Sequence, residues 1–361
     1  MNNPYTDLEP SSFWKSGVAQ RHRTAIGGLW KPKFPISPSN IVTTYGSCFA
    51  QHIGKALLSK GYAWKNFENA PDGCSVALQK KYNYGIFSSR TGNIYTTSLL
   101  RQWMDWSIGQ RAVPDELWEE DGRFYDPFRP AIEPLGFFSR EELRASRART
   151  IASFGHSIRS ADVLVFTLGL TESWFNAKDG YEYPMCPGTL HGEFDASAHV
   201  FRNQGFESIC AALTASIEMM RGVNPDLRIL LTVSPVPLTA TKSGQHILVA
   251  TTHSKSILRA VAGQISQDLE NVDYFPSYEI ITNPFFEDDY FEANKRSVRP
   301  SAVDHVMDNF FFDLNGKPVF AEIHQPLAAH PTDAGLSSQQ RDEDDLCCEE
   351  AFLAAFAPGQ G

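Results

Sequence analysis

The feature that most narrows the fold of this chain is an alternation of short apolar runs with longer stretches of helical periodicity. The runs are NIVTTY (40–45), ADVLVFTLG (161–169), RILLTVSPVP (228–237) and VDYFPSYEI (272–280). Each is rich in β-branched or aromatic residues and short enough for a buried strand. The second, third and fourth follow the helix-like stretches SREELRASRARTIASFGHSIRS, GFESICAALTASIEMMRGVNP and HSKSILRAVAGQISQDL. Strands without a polar face, alternating with helices of this length, imply βαβ units and a mostly parallel sheet covered on both faces. The first run stops at Gly46 and passes into AQHIGKALLSKG, where Ile53, Ala56 and Leu57 stand at helical spacing and Gly61 supplies a C-terminal stop. The fold expected is a three-layer αβα arrangement around one parallel sheet.

The remaining segments set the domain boundaries. Residues 1–39 mix aromatics with Pro and Ser without a sustained period, and read as an irregular arm that packs its Trp and Phe residues onto the main body. The main domain is expected over 40–325. It is interrupted at about 70–140 by an aromatic, turn-rich insertion, too apolar to be disordered, that reads as a cap over one end of the sheet. Residues 326–361 are polar and acidic and are expected to be a disordered tail, with a short helix around Glu349–Phe356.

A formal charge of −10 over 361 residues argues against a general binder of nucleic acid or membrane surfaces, both of which are polyanionic. No window approaches the roughly 20 apolar residues of a membrane span. The opening MNNPYTDLEPSSFWKSG lacks the basic patch and apolar core of a secretion signal, so a cytoplasmic address is expected. The six cysteines (Cys48, Cys74, Cys186, Cys210, Cys347, Cys348) form no CxxC pair and stand at no zinc-site spacing with His. Free thiols, no metal and no cofactor are expected. The oligomeric state is left open.

In open α/β sheets, ligands bind beyond the carboxyl ends of the strands. Four polar clusters fall there: GSC after the first run, LGLTESW after the second, SPVPLTAT after the third and SYEI…NKRSVRPSAVDHVM after the fourth. Ser47, at a strand-to-helix turn, has two readings. Its hydroxyl can cap the helix, or it can stand exposed to a substrate near backbone N–H groups able to hold an oxyanion. Cys48 reads as a small buried filler.

Beyond this, GSCFAQH (46–52) resembles the signature of the GSCFA-domain proteins, relatives of the SGNH (GDSL-like) esterases. YNYGIFSSRTGNIYT, DGRFYDPFRP, TLGLTESW, LLTVSPVPLTAT, SKSILRAVAG and YFPSYEI resemble segments of the family's proteobacterial branch, in order, and the resemblance runs from about Asn3 to Phe312. It implies a flavodoxin-like, SGNH-type sheet and makes Ser47 the nucleophile. It also implies an oxyanion hole from the N–H of Ser47 and that of a glycine in the second motif, for which Gly85 of NYGIF is the candidate. Gly169 of LGLTE matches the third motif, and Thr171 stands where these esterases carry Asn; it can still donate. The alternative for Thr171 and Glu172 is a turn cap and a partner for a loop Arg.

The resemblance breaks at the base. SGNH enzymes end in Asp-x-x-His, and an ungapped match puts Asn294 and Ser297 at the corresponding places, which cannot form an acid–base dyad. A serine nucleophile needs a base within hydrogen-bond reach. His305 is the nearest candidate, on a helix started by Pro300; packing is its alternative fate. His52 and His253 are supporting candidates, and Glu172, Glu279 and Asp289 are carboxylates that could orient an imidazole. Arg90, Arg123, Arg129, Lys255, Arg259 and Arg296 suit an anionic or hydroxylated ligand, or else tie the cap to the sheet through carboxylates such as Asp126. Trp103, Trp106, Trp118 and Trp174 would suit carbohydrate stacking. Two main functions follow: a serine esterase or O-acyltransferase working through a Ser47 acyl-enzyme on a small-molecule or glycan ester, or a carbohydrate-binding or assembly protein that kept the fold and lost the base. Cysteine chemistry at Cys48 is a third.

Overall fold

The computed structural model describes residues 3–286, 290–315 and 348–357. The elements, in chain order, are β1 (Val42–Gly46), α1 (Phe49–Ser59), α2 (Val76–Lys81), α3 (Thr97–Ser107), β2 (Trp118–Glu120), β3 (Arg123–Tyr125), α4 (Arg140–Ser160), β4 (Val163–Leu168), β5 (Glu172–Asn176), β6 (Glu182–Tyr183), β7 (His199–Asn203), α5 (Phe206–Val223), β8 (Arg228–Val233), α6 (Ile247–Asp268), β9 (Val272–Tyr274), α7 (Ser277–Thr282) and α8 (Pro300–Asn315).

Strands β1, β4, β8 and β9 form a parallel sheet in that order. On the outer side of β1, Trp64 makes a single parallel bridge to Val42, with the Val42 N–H donating to the Ala63 carbonyl and the Lys65 N–H to that of Val42, each at 3.0 Å. With that vestigial strand counted second, the order is 2-1-3-4-5. This is the flavodoxin-like order, and its direction reverses between β1 and β4, where such folds open a crevice.

Both faces of the sheet are apolar, as the sequence runs require. Leu164, Phe166 and Leu168 of β4 point into one core with Trp103, Phe154, Leu213 and Leu258, from α3, α4, α5 and α6. Val163 and Val165 point into a second core with Ile53, Ile280 and Phe310, from α1, α7 and α8. The result is three layers, helix–sheet–helix. The arm delivers Trp30 and Phe34 to the second core, and the Trp30 indole donates to Asp273 Oδ2 at 3.1 Å. Phe13 and Trp14 remain exposed. In the fourth run only Val272–Tyr274 is strand; Pro276 has no N–H to continue the ladder, and SYEI turns into α7.

The insertion is partly cap and partly core. The β2–β3 hairpin lies outside, whereas α3 is packed against α5. Trp103, Trp106 and Trp118 are therefore buried in the first core, which corrects the expectation that they offer stacking surfaces to a sugar. Arg129 and Arg147 both pair with the buried Asp126, at 2.8 and 2.9 Å, and Arg90 reaches Glu133 and the Tyr82 carbonyl. Arg259 pairs with Glu279. These arginines hold the cap and the helices together.

Candidate active site

The turn after β1 is fixed by close approach of backbones. Gly46 has φ = +127°, and a Cβ there would stand 2.2 Å from the Thr167 carbonyl oxygen, so only glycine fits. The next residue, Ser47, donates its N–H to that same Thr167 carbonyl at 3.0 Å, which fastens the turn to β4. Its hydroxyl is not a helix cap. The cap position of α1 is Cys48, without a side-chain cap bond, and Ser47 Oγ is buried with no hydrogen-bond partner among the described residues. Ser47 is 3% exposed. A buried hydroxyl left unpaired costs on the order of 1–3 kcal/mol and calls for an explanation.

Two other segments meet at this serine. Gly169, after β4, is held so close that a Cβ on it would lie 3.2 Å from Ser47 Cβ and 3.0 Å from the Tyr95 carbonyl oxygen. The stretch Asn93–Tyr95 crosses the turn: the Ile94 N–H donates to the Gly46 carbonyl at 2.8 Å, and Gln51, on α1, donates from Nε2 to Asn93 Oδ1 at 3.2 Å. The fully buried Lys255, on α6, donates from Nζ to the Gly169 carbonyl at 2.6 Å and fixes that peptide. Ser47 thus lies at the β1/β4 switch point, walled by residues from four parts of the sequence.

The donors expected for an oxyanion are placed differently. The N–H of Ser47 goes to Thr167, and that of Gly169 to the Tyr95 carbonyl at 3.0 Å. Thr171 gives its hydroxyl to Asn203 Oδ1 at 2.7 Å and its N–H to Ser254 at 3.1 Å. Gly85 is exposed, in the turn after α2; the glycine that adjoins the crossing segment is Gly92. The donors that do gather here are the Asn93 N–H, the Asn93 side-chain amide and the Tyr95 hydroxyl. All three are donated to one carboxylate, that of Glu349, with the Asn93 N–H at 3.3 Å and the Tyr95 hydroxyl at 3.1 Å. Sequence reading passed over Asn93 and Tyr95, although they lie in the quoted SSRTGNIYT; their polarity beside a glycine was the available signal.

No histidine is hydrogen-bonded to Ser47 among the described residues. His305 sits on α8 between the rings of Phe286 and Tyr290, both at 5.7 Å, with the Asn309 amide 3.3 Å from its Nε2. His52 is half-buried against Phe49; burial, with Lys55 nearby, pushes it down to about 4, so it is neutral at ordinary pH. His253 is exposed on α6. Glu172 accepts from the Thr241 hydroxyl and the Lys242 N–H, and Glu279 accepts from Arg259 and the Tyr274 hydroxyl. Asp289 lies outside the described residues. Asn294 and Ser297 bond to each other, at 2.9 Å, in an exposed turn that also takes the Arg296 N–H.

A cavity of about 330 Å³ begins beyond Gly169, lined by Leu170, Trp174, Met185 and Leu238 among others, and by Leu353 and Phe356 of a 3-10 helix at Glu349–Phe356. Among the described residues no cluster of His, Cys, Asp or Glu could hold a metal ion, and no helix is long and apolar enough to cross a membrane.

Comparison with known proteins adds the following. The model of the GSCFA family matches residues 41–310. No curated protein matches. Among solved structures, an acetyl xylan esterase (Est2A) from the rumen bacterium Butyrivibrio proteoclasticus is matched at 14% identity with a TM-score of 0.23; the match covers 43% of this chain and 37% of that one.

Proposed function

We propose, from the premise that this chain belongs to the GSCFA family, that it is a serine-dependent esterase or O-acyltransferase. The observation that carries the reading is the Ser47 hydroxyl: buried, without a partner among the described residues and not a helix cap, at the switch point of the sheet. Ser47 Oγ attacks the acyl carbon of an ester and passes its proton to a base. The carbonyl oxygen becomes an anion, the alcohol leaves with a proton, and water or a sugar hydroxyl then takes the acyl group from the serine. Donors that hold the Glu349 carboxylate suit an oxygen anion, which supports the assignment of Asn93 and Tyr95 to that role. Trp174, half-buried at the cavity wall with Phe194 at 5.3 Å, suits a glycan or glycan precursor as the substrate class. A cytoplasmic address belongs to the same reading.

The test is labelling by a fluorophosphonate probe. Wild type is expected to label and Ser47→Ala to lose all labelling; a wild type that stays unlabelled beside a reactive control esterase sinks the proposal. A second reading, a carbohydrate-binding protein without catalysis, is favoured by one observation: Asn294 and Ser297 satisfy each other where the family motif places its acid and base. It predicts glycan binding that survives Ser47→Ala.

A further inference from the structure

The 3-10 helix at Glu349–Phe356 comes from the far end of the chain, yet its first side chain is one of the most buried carboxylates in the protein, at 2% exposure. A buried carboxylate needs hydrogen-bond donors to replace water. Glu349 finds three in the segment that crosses the Ser47 turn, beside its own backbone N–H: the Asn93 N–H, the Asn93 amide and the Tyr95 hydroxyl. Gly92 lies against this carboxylate: a Cβ there would stand 2.8 Å from Glu349 Oε1. One turn and two turns on, Leu353 and Phe356 reach the apolar cavity beyond Gly169. The helix therefore spans both halves of the candidate site, with its anion on the donors and Leu353 and Phe356 at the cavity wall.

The helix is also built to leave. Phe356 is 65% exposed and Phe352 44%, so little of its apolar surface is committed to the body. Short segments with few buried contacts open at low free-energy cost. Burial raises the Glu349 carboxyl above its ordinary value, so its ionised form is held less firmly than the donor count alone suggests.

We infer that Glu349–Phe356 is an internal competitor of the substrate: its carboxylate occupies the donors meant for the substrate's acyl oxygen, and Leu353 and Phe356 stand at the wall of the cavity that would take the group attached. The cleft accordingly takes ligands that join an oxygen anion to an apolar arm. The inference rests on the reading of Ser47 as the reactive group. A segment held at a local concentration about ten times its intrinsic dissociation constant keeps roughly ten molecules closed for each one open.

The experiment uses the full chain and two readouts. Fluorophosphonate labelling of Ser47 is compared in wild type, Glu349→Ala and Phe356→Asp; hydrogen exchange is followed in peptides covering 90–95 and 348–357, with and without octanoate, a carboxylate on an apolar arm. The expected result is labelling about tenfold faster in both variants. Exchange protection of 348–357 is expected in wild type and lost in the variants and with octanoate. Equal labelling rates in all three proteins, or a tail that is unprotected in wild type, overturn the inference. If no protein labels, the serine reading fails on its own, and the octanoate arm decides: displacement of the tail supports competition at this cleft, and undiminished protection refutes it. Phe356 lies at the surface, so Phe356→Asp leaves the body of the fold intact.

Discussion

The turn after β1 and the loop before α8 are the two places to which the resemblance in sequence assigns nucleophile and base, and they are built in opposite ways. At the first, Gly46 and Ser47 are pinned to Thr167, covered by Asn93–Tyr95 and pressed by Gly169, while the Ser47 hydroxyl is left unpaired among the described residues. At the second, Asn294 and Ser297 lie at the surface and satisfy each other. A buried hydroxyl left unsatisfied in a tight turn costs stability, and the proposed reaction supplies a reason for it. A self-satisfied exposed turn asks for nothing from its surroundings.

This contrast can be broken by substitution, and the largest effect belongs at the first turn. Gly46→Ala drives a Cβ into backbone that cannot move aside, and is expected to cost more than about 4 kcal/mol, read as loss of cooperative unfolding or of soluble protein. A well-folded Gly46→Ala with an unshifted melting temperature would show that the turn is not over-determined.

The next effect lies just behind the covering segment, where the buried Glu182 accepts from the Thr96 hydroxyl. Burial pushes this carboxyl up from 4.5 to about 7. Between those values the folded state keeps a proton that the unfolded state gives up, so unfolding free energy falls as pH rises from 4.5 through 7. The loss amounts to about 3 kcal/mol. Glu182→Gln cannot ionise and is expected to gain that much on wild type between pH 4.5 and pH 8; parallel urea-denaturation curves at the two pH values would contradict it.

At α8 the effects shrink. His305→Ala removes a ring packed between Phe286 and Tyr290 and is expected to cost about 1–2 kcal/mol in stability. Labelling of Ser47 should stay within about threefold of wild type, because no bond joins the two side chains. A hundredfold fall in labelling would instead make His305 the base. Smallest of all, Asn294→Ala should move stability by no more than about 0.5 kcal/mol and labelling not at all, since only a surface turn is touched. Any clear loss of labelling there would restore the loop to the mechanism and erase the contrast.

Particular residues show how far the sequence could be read. The strand runs at 40–45, 161–169 and 228–237 correspond to β1, β4 and β8, and Pro300 opens α8 as its position suggests. The choice of Gly85 over Gly92 shows the limit: both are glycines of one motif with φ near +70°, and nothing in their neighbours tells which one adjoins the segment bonded to Gly46. Trp103, Trp106 and Trp118 show the same limit from the other side, because an aromatic that packs a core and one that stacks a sugar have the same composition signal.

The sequence by itself determined the layers and the glycine turn, since apolar runs, helical periods and positive φ are local properties written within a few residues of one another. Only the tertiary structure decided what surrounds Ser47. The Thr167 carbonyl, the Asn93 amide, the Lys255 ammonium and the Glu349 carboxylate arrive there from segments separated by scores to hundreds of residues. Their meeting depends on strand order and on where each loop is held, and both are set by burial across the whole sheet.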